Sequence, residues 1–130
     1  MKNKILIYGI IVVIILVGTF ILLKDDSPGQ YDDFSKCLTE KDIKFYGAYW
    51  CPHCKDQKTA FGNSFKFVNY IECSLPNNVG QTKECIDSGI SGYPTWEFSN
   101  KERIEGFIPL ETLSEKSGCT LQQEWKKYMY

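Results

Sequence analysis

The stretch Trp50-Cys51-Pro52-His53-Cys54 decides the fold class of this chain. Two cysteines that are two residues apart can close into a small disulfide ring and open again by thiol–disulfide exchange. Pro52 suits the first turn of a helix, where its missing N–H would have no partner in any case. A strand that ends near Trp50 and a helix that begins at Pro52 would place Cys51 at a helix N-terminus.

That position would expose Cys51 and favours its thiolate, which is the form that attacks a disulfide. Unpaired N–H groups and the helix dipole stabilise an anion there. His53, the one histidine of the chain, would add a cation when protonated. Cys54 lies one turn further in and suits the resolving thiol. A stabilised thiolate favours the reduced pair, which makes the disulfide an oxidant of other thiols.

Three other interpretations of the pair are weaker. Half of a zinc site would need a second close pair of ligands, whereas Cys73 and Cys85 are 12 residues apart. Haem attachment needs a histidine directly after the second cysteine, where this chain has Lys55. A purely structural disulfide in so small a ring would be strained. We therefore expect no metal and no cofactor besides the redox-active disulfide.

A second informative segment is Gly92-Tyr93-Pro94-Thr95. Proline is the residue at which a cis peptide bond costs little. A cis Pro94 would face the cysteine pair and leave the Tyr93 backbone free to bind an extended substrate strand. An ordinary trans proline at the start of an edge strand is the alternative. Trp50 either belongs to the core or shapes the substrate surface.

The N-terminus carries an uncharged apolar run of 19 residues, from Ile5 to Leu23. As a helix it would be about 28 Å long, close to the ~30 Å hydrocarbon core of a bilayer. Its length argues against a cleaved signal peptide. Lysines 2 and 4 precede it, which predicts a single-pass anchor with a cytoplasmic N-terminus and an extracytoplasmic catalytic domain. Six cysteines, all beyond the run, agree with an oxidising compartment.

The expected domains are an anchor over 1–24, a linker over 25–30, one α/β domain over 31–119 and a tail over 120–130. The remainder after residue 24 has 12 basic and 16 acidic residues, which gives no electrostatic footprint for nucleic acid. Periodicity predicts the order α-β-α-β-α-β-β-α, with a mixed sheet and a hairpin near the end.

Five segments in order resemble the thioredoxin-like domain that accompanies vitamin K epoxide reductase (VKOR) homologues: 46–54, 61–62, 70–73, Cys85 and 92–96. The resemblance implies a thioredoxin-like fold, a cis Pro94, a catalytic Cys51–Cys54 pair and a Cys73–Cys85 pair. It also implies protein thiol substrates and a quinone-linked membrane partner as the electron acceptor. With one predicted span the chain has no room for a quinone site, so a VKOR-like or other membrane redox partner would be a separate protein.

The chain also differs from many thioredoxin-like proteins in the residue available for proton transfer. Many thioredoxin-like proteins place a buried acid six residues before the first cysteine, where this chain has Phe45. Asp56, Glu72 and Glu97 are the candidates to replace it, and the sequence does not choose among them.

The other cysteines leave alternatives open. Cys73–Cys85 would be either a staple or a relay that accepts electrons from the first pair. Cys37 and Cys119 remain and would pair by elimination. Two free thiols, or a mixed disulfide with a partner, are the alternatives. Six cysteines allow 15 connectivities.

The sequence thus predicts an anchored thiol–disulfide oxidoreductase that oxidises extracytoplasmic proteins. A reductase or isomerase fed by a membrane electron donor would use the same chemistry. A redox-inert adaptor with the same fold is disfavoured, because it would gain nothing from two thiols.

Overall fold

The computed structural model describes residues 27–121 and the helix α1 (Lys2–Leu22), in which side chains are described over 7–18. Residues 23–26 and most of the predicted tail, 122–130, lie outside the described residues. The further helices are α2 (Asp32–Glu40), α3 (Pro52–Phe61), α4 (Lys83–Asp87) and α5 (Leu110–Ser117). The strands are β1 (Lys44–Gly47), β2 (Asn69–Glu72), β3 (Thr95–Glu97) and β4 (Arg103–Glu105). Two short 3-10 segments lie at Gly62–Phe67 and Pro76–Asn78.

The predicted membrane span over Ile5–Leu23 is contradicted. Within the part of the chain that the structure describes, no helix is both long enough and apolar enough to cross a membrane. This finding overturns the anchor assigned to 1–24 and the single-pass localisation derived from it.

The four strands form one mixed sheet in the order β2-β1-β3-β4. β1 and β2 are parallel, so they need a crossover, which α3 supplies. β3 is antiparallel to β1 and forms an antiparallel hairpin with β4. The element order and the hairpin are those that the sequence predicts. β1 is an inner strand of the sheet. The loop after β1 leads into the cysteine pair, which therefore lies near the middle of the sheet edge at which β1 ends.

The sheet separates two buried clusters, since successive residues of a strand point to opposite faces. One face carries the main core, in which Phe45 of β1 packs 4.7 Å from the Trp96 ring and 5.8 Å from the Tyr70 ring. Tyr46 points the other way and joins a smaller cluster with Cys73, Cys85 and Ile90. Cys54 belongs to the main core. The two cysteine pairs therefore lie in different clusters.

A buried glutamine fixes α3 on the main face. The Gln57 amide donates to the Ile108 carbonyl at 2.9 Å, and its carbonyl accepts from the Ile108 N–H at 2.9 Å. The same oxygen accepts from the Trp96 indole N–H at 3.4 Å. The Gln57 amide and the Trp96 indole N–H thus keep hydrogen-bond partners, which offsets the cost of burying these polar groups. These bonds hold the helix that carries the cysteine pair against β3 and the segment before α5.

Candidate active site

Cys51 is the N-cap residue of α3. Its backbone is extended, and its sulfur accepts a hydrogen bond from the Cys54 backbone N–H at 3.3 Å. Pro52 occupies the first position of the helix, as the sequence predicts. An N-cap group that accepts from the first turn satisfies one of the free N–H groups there, and an anion in that place gains from the helix dipole.

The sulfur of Cys51 is more enclosed than the sequence suggested, because only 4% of the residue is exposed. Its thiol donates to the Tyr93 carbonyl at 3.6 Å. That carbonyl belongs to the cis Tyr93–Pro94 peptide. The second segment singled out in the sequence therefore lies directly against the cysteine pair, and an attacking group must approach beside it.

Cys54 is fully buried and lies below Cys51 on the same helix. Burial, together with the contact to the Cys51 side chain, raises the pKa of the Cys54 thiol to about 12. The Ala48 backbone and the Lys58 ammonium act in the opposite direction without cancelling that rise. Cys54 is therefore a neutral thiol at physiological pH. Any reaction in which its sulfur attacks must first dispose of a proton.

Trp50 and Tyr93 form one side of the site. Their rings meet edge to face with centroids 6.0 Å apart, and 42% of Trp50 is exposed. The Trp50 indole donates to the Ser74 hydroxyl at 2.9 Å, and the Gln81 amide donates to the Tyr93 hydroxyl at 2.8 Å. Hydrogen bonds to the segment between β2 and α4 thus hold both aromatic side chains in place. Trp50 presents surface beside Cys51 instead of filling the core.

His53 lies on the solvent side of α3. Its side chain is 70% exposed, and its Nδ1 is 3.8 Å from a carboxylate oxygen of Asp56. The predicted effect of His53 on the Cys51 thiolate stays a prediction.

The two further cysteine pairs are disulfides in the structure. Cys73 joins Cys85, and Cys37 of α2 joins Cys119, directly after α5. Both sulfurs of the first bridge are fully buried, on the face of the sheet opposite to Cys54. The second bridge ties residues that are 82 positions apart. Within the described residues, no group of three or more His, Cys, Asp or Glu side chains is placed to hold a metal ion.

Gly47 is a site residue that the sequence analysis missed. A Cβ built on it would lie 3.3 Å from the Cys54 sulfur, 3.0 Å from Tyr70 Cε2 and 3.2 Å from Phe45 Cε1. The signal was available, because a glycine inside a strand often marks a close approach of other atoms. The missing side chain leaves room that the Cys54 sulfur, the Tyr70 ring and the Phe45 ring all border.

We expect Gly47→Ala to lower the free energy of unfolding by roughly 1–3 kcal/mol, since the added methyl overpacks this room. The displaced Cys54 sulfur should also close the Cys51–Cys54 disulfide more slowly. Urea unfolding and the rate of ring closure measure the two effects. Gly18→Ala is the matched control, because nothing lies within 4 Å of the added Cβ. A Gly47→Ala protein with unchanged stability and closure rate would contradict this account.

The mixed sheet, its flanking helices and the dithiol at the start of α3 fit a thioredoxin-like fold. No family model matches the chain. The thiol-disulfide oxidoreductase LTO1 of Arabidopsis thaliana is 39% identical over 94 residues, which are 68% of this chain and 24% of that protein. The chain thus spans about a quarter of the length of the relative that it matches. This similarity supports a thiol–disulfide oxidoreductase domain and an oxidoreductase enzyme role.

Proposed function

We propose that the chain exchanges disulfides with protein thiols through Cys51 and Cys54, in the oxidising direction. The observation that carries the proposal is the placement of the Cys51 sulfur. It caps α3, accepts from the Cys54 N–H and touches the Tyr93 carbonyl. A nucleophile and its resolving thiol are thereby held one helical turn apart, beside a backbone segment that can bind a client strand.

The reaction runs in two displacements. A client thiolate attacks the Cys51 sulfur of the ring, and Cys54 leaves with the electron pair of the S–S bond and takes up a proton. A second client thiolate then attacks the client sulfur of the mixed disulfide. The client disulfide forms, Cys51 leaves as a thiolate, and two electrons have passed from the client to the pair.

The reduced pair must then pass its electrons on. We propose a separate redox protein as the acceptor, by resemblance a quinone-linked protein related to VKOR. The half-exposed Trp50 and the neighbouring Tyr49, 47% exposed, offer an aromatic surface beside Cys51 for clients or for that acceptor. Large aromatic side chains of this kind dominate many protein contacts.

The reduction potential tests the direction. Equilibration of the Cys51–Cys54 couple with glutathione, followed by acid trapping, gives its value. A potential near −120 mV supports an oxidant of client thiols, and one near −270 mV supports a reductase instead.

We propose that Cys73–Cys85 is a staple and not a relay. Its two sulfurs are fully buried and lie across the sheet from Cys54. The Cys73→Ser/Cys85→Ser protein should lose about 3 kcal/mol of stability, as chain entropy predicts for a 12-residue loop. Its Cys51–Cys54 pair should still oxidise a client peptide at the wild-type rate in the folded protein. A folded variant that oxidises the peptide but can no longer be reoxidised by its acceptor would establish the relay.

A further inference from the structure

Cys54 needs a proton acceptor when its thiol attacks a mixed disulfide on Cys51, and a proton donor when it leaves. Its sulfur is fully buried, so bulk water does not supply either. Phe45, which precedes Cys51 by six residues, packs between aromatic rings and carries no proton. The group that serves Cys54 must therefore come from elsewhere in the fold.

Two of the three candidate acids point away from Cys54. Asp56 follows it by two residues on α3, a spacing that places side chains on different helix faces, and its side chain is 67% exposed beside His53. Glu97 follows Trp96, whose ring faces α3, so the Glu97 side chain lies on the opposite face of the sheet.

Glu97 also forms ion pairs with two cationic side chains. Burial raises the pKa of its carboxyl, but hydrogen bonds from Arg103 and Lys101 outweigh that effect and hold the pKa below its usual range. A carboxylate held ionised by two cations is a poor proton acceptor.

Glu72 lies on the face of the sheet against which Cys54 packs. It is the register partner of Gly47, the residue whose missing side chain leaves room beside the Cys54 sulfur. Its carboxylate accepts hydrogen bonds from the Ser74 N–H at 2.9 Å, from the Tyr49 N–H at 3.2 Å and from the Tyr70 hydroxyl. The Tyr49 bond ties this carboxylate to the loop that leads into Cys51.

Tyr70 connects Glu72 with Cys54. Residues 70 and 72 of β2 share a face of the sheet, and the Tyr70 ring packs in the main core with Phe45. Tyr70 Cε2 and the Cys54 sulfur both lie within 3.3 Å of the point where a Gly47 Cβ would stand. The tyrosine ring is thus the neighbour of the thiol, and its hydroxyl is bonded to the carboxylate.

Few charged or titratable side chains affect the pKa values in this cluster. Cys51 and Lys58, on the same helix, affect the pKa of Cys54, and Glu72, Cys54 and Cys51 affect the pKa of Tyr70. The Lys58 ammonium lies 3.8 Å from the centre of the Tyr70 ring, above its face. Burial and the bond to Glu72 raise the pKa of Tyr70, so its hydroxyl stays neutral and keeps donating to the carboxylate.

We propose that Glu72 exchanges the Cys54 proton through the hydroxyl of Tyr70, directly or across one bridging water. When the Cys54 sulfur attacks Cys51 in the mixed disulfide with the electron acceptor, the bond between Cys51 and the acceptor breaks and the acceptor sulfur leaves with its electron pair. The Cys54 proton passes to the Tyr70 oxygen while the Tyr70 proton passes to Glu72. The reverse transfer protonates Cys54 when it is the leaving group. This inference rests on the proposed function of the pair.

The two half-reactions can be timed separately with 5,5′-dithiobis(2-nitrobenzoate) on protein whose Cys51–Cys54 pair alone is reduced. The first thionitrobenzoate is released when Cys51 is modified, and the second when Cys54 closes the ring. In Tyr70→Phe and Glu72→Gln we expect the first release to be unchanged and the second to be slowed roughly 10-fold or more at pH 7.

The pH profile separates proton transfer from a structural effect. Without an acceptor, ring closure depends on Cys54 that is already ionised, a fraction that rises tenfold per pH unit below its pKa. The second release should therefore rise about tenfold per unit between pH 6 and 9 in both variants, and less steeply in the wild type. Glu111→Gln and Tyr31→Phe, which make the same chemical changes elsewhere, should behave as the wild type.

Each outcome decides one claim. Variants that match the wild type in closure rate and pH slope would overturn the proton path, and so would variants in which both releases slow equally with the wild-type slope. A wild-type protein that shows no ring closure would instead overturn the proposed function.

Discussion

Cys51→Ser is expected to abolish disulfide exchange, with the rate falling by at least about 10³-fold. A serine hydroxyl keeps the N-cap hydrogen bond to the Cys54 N–H but is not ionised at neutral pH and forms no S–S bond. The fold should therefore persist while the chemistry is lost. Oxidation of a dithiol peptide, followed by mass spectrometry, measures the loss.

The matched variant is Cys54→Ala, which leaves the nucleophile in place and removes the resolving thiol. Its Cys51 thiolate should attack the disulfide of an oxidised client or of the oxidised acceptor, whose second sulfur leaves as a thiolate. The mixed disulfide should then persist because no resolving thiol attacks it, so that the attached proteins can be identified. Cys51→Ser should hold none. A Cys51→Ser protein that still oxidises the peptide, or a Cys54→Ala protein that captures no partner from a disulfide, would place the reactive sulfur elsewhere.

Removing the Cys37–Cys119 bridge by serine at both positions is expected to lower the free energy of unfolding by about 4.5 kcal/mol. The bridge closes a loop over 82 positions, and the chain-entropy estimate grows with loop length. It ties α2 to the end of α5, whereas Cys73–Cys85 closes only 12 positions. Urea unfolding under non-reducing conditions measures the loss.

Exchange at Cys51 serves as the internal control for this variant. In the folded fraction the rate should equal that of the wild type, because neither Cys37 nor Cys119 contacts the site in the described structure. The Cys73→Ser/Cys85→Ser protein should lose less stability, about 3 kcal/mol. A Cys37/Cys119 variant as stable as the wild type, or less damaged than the Cys73/Cys85 variant, would contradict the chain-entropy account.

The dithiol and its helix were predictable because their causes are local. Pro52 starts α3 for reasons contained in one residue, and Cys51 becomes the N-cap because it stands directly before it. The order of helices and strands was likewise predictable from periodicity, which needs no knowledge of what packs on what. The apolar run over 5–23 shows the limit of that reasoning, since the predicted span is contradicted for the described residues.

The surroundings of the cysteines could not be predicted in the same way. The sequence proposed an exposed Cys51, but the Tyr93 carbonyl covers its sulfur, and that contact depends on how β3 is set beside β1. The sequence left Asp56, Glu72 and Glu97 equivalent as proton acceptors. In the structure only Glu72 lies on the sheet face against which Cys54 packs, whereas Asp56 is exposed on α3 and Glu97 lies on the opposite face. No role for Gly47 followed from the sequence.

The sequence by itself determined the position of the Cys51–Cys54 pair at a helix N-terminus and the order of the elements, because each follows from neighbouring residues. Only the tertiary structure decided that Gly47 opens the room beside Cys54, that Tyr70 borders it with Glu72 bonded to the Tyr70 hydroxyl, and that Cys73–Cys85 lies across the sheet. The physical reason is strand register. A shift of one residue would turn every side chain of a strand to the other face, and the pairing of all strands together sets that register.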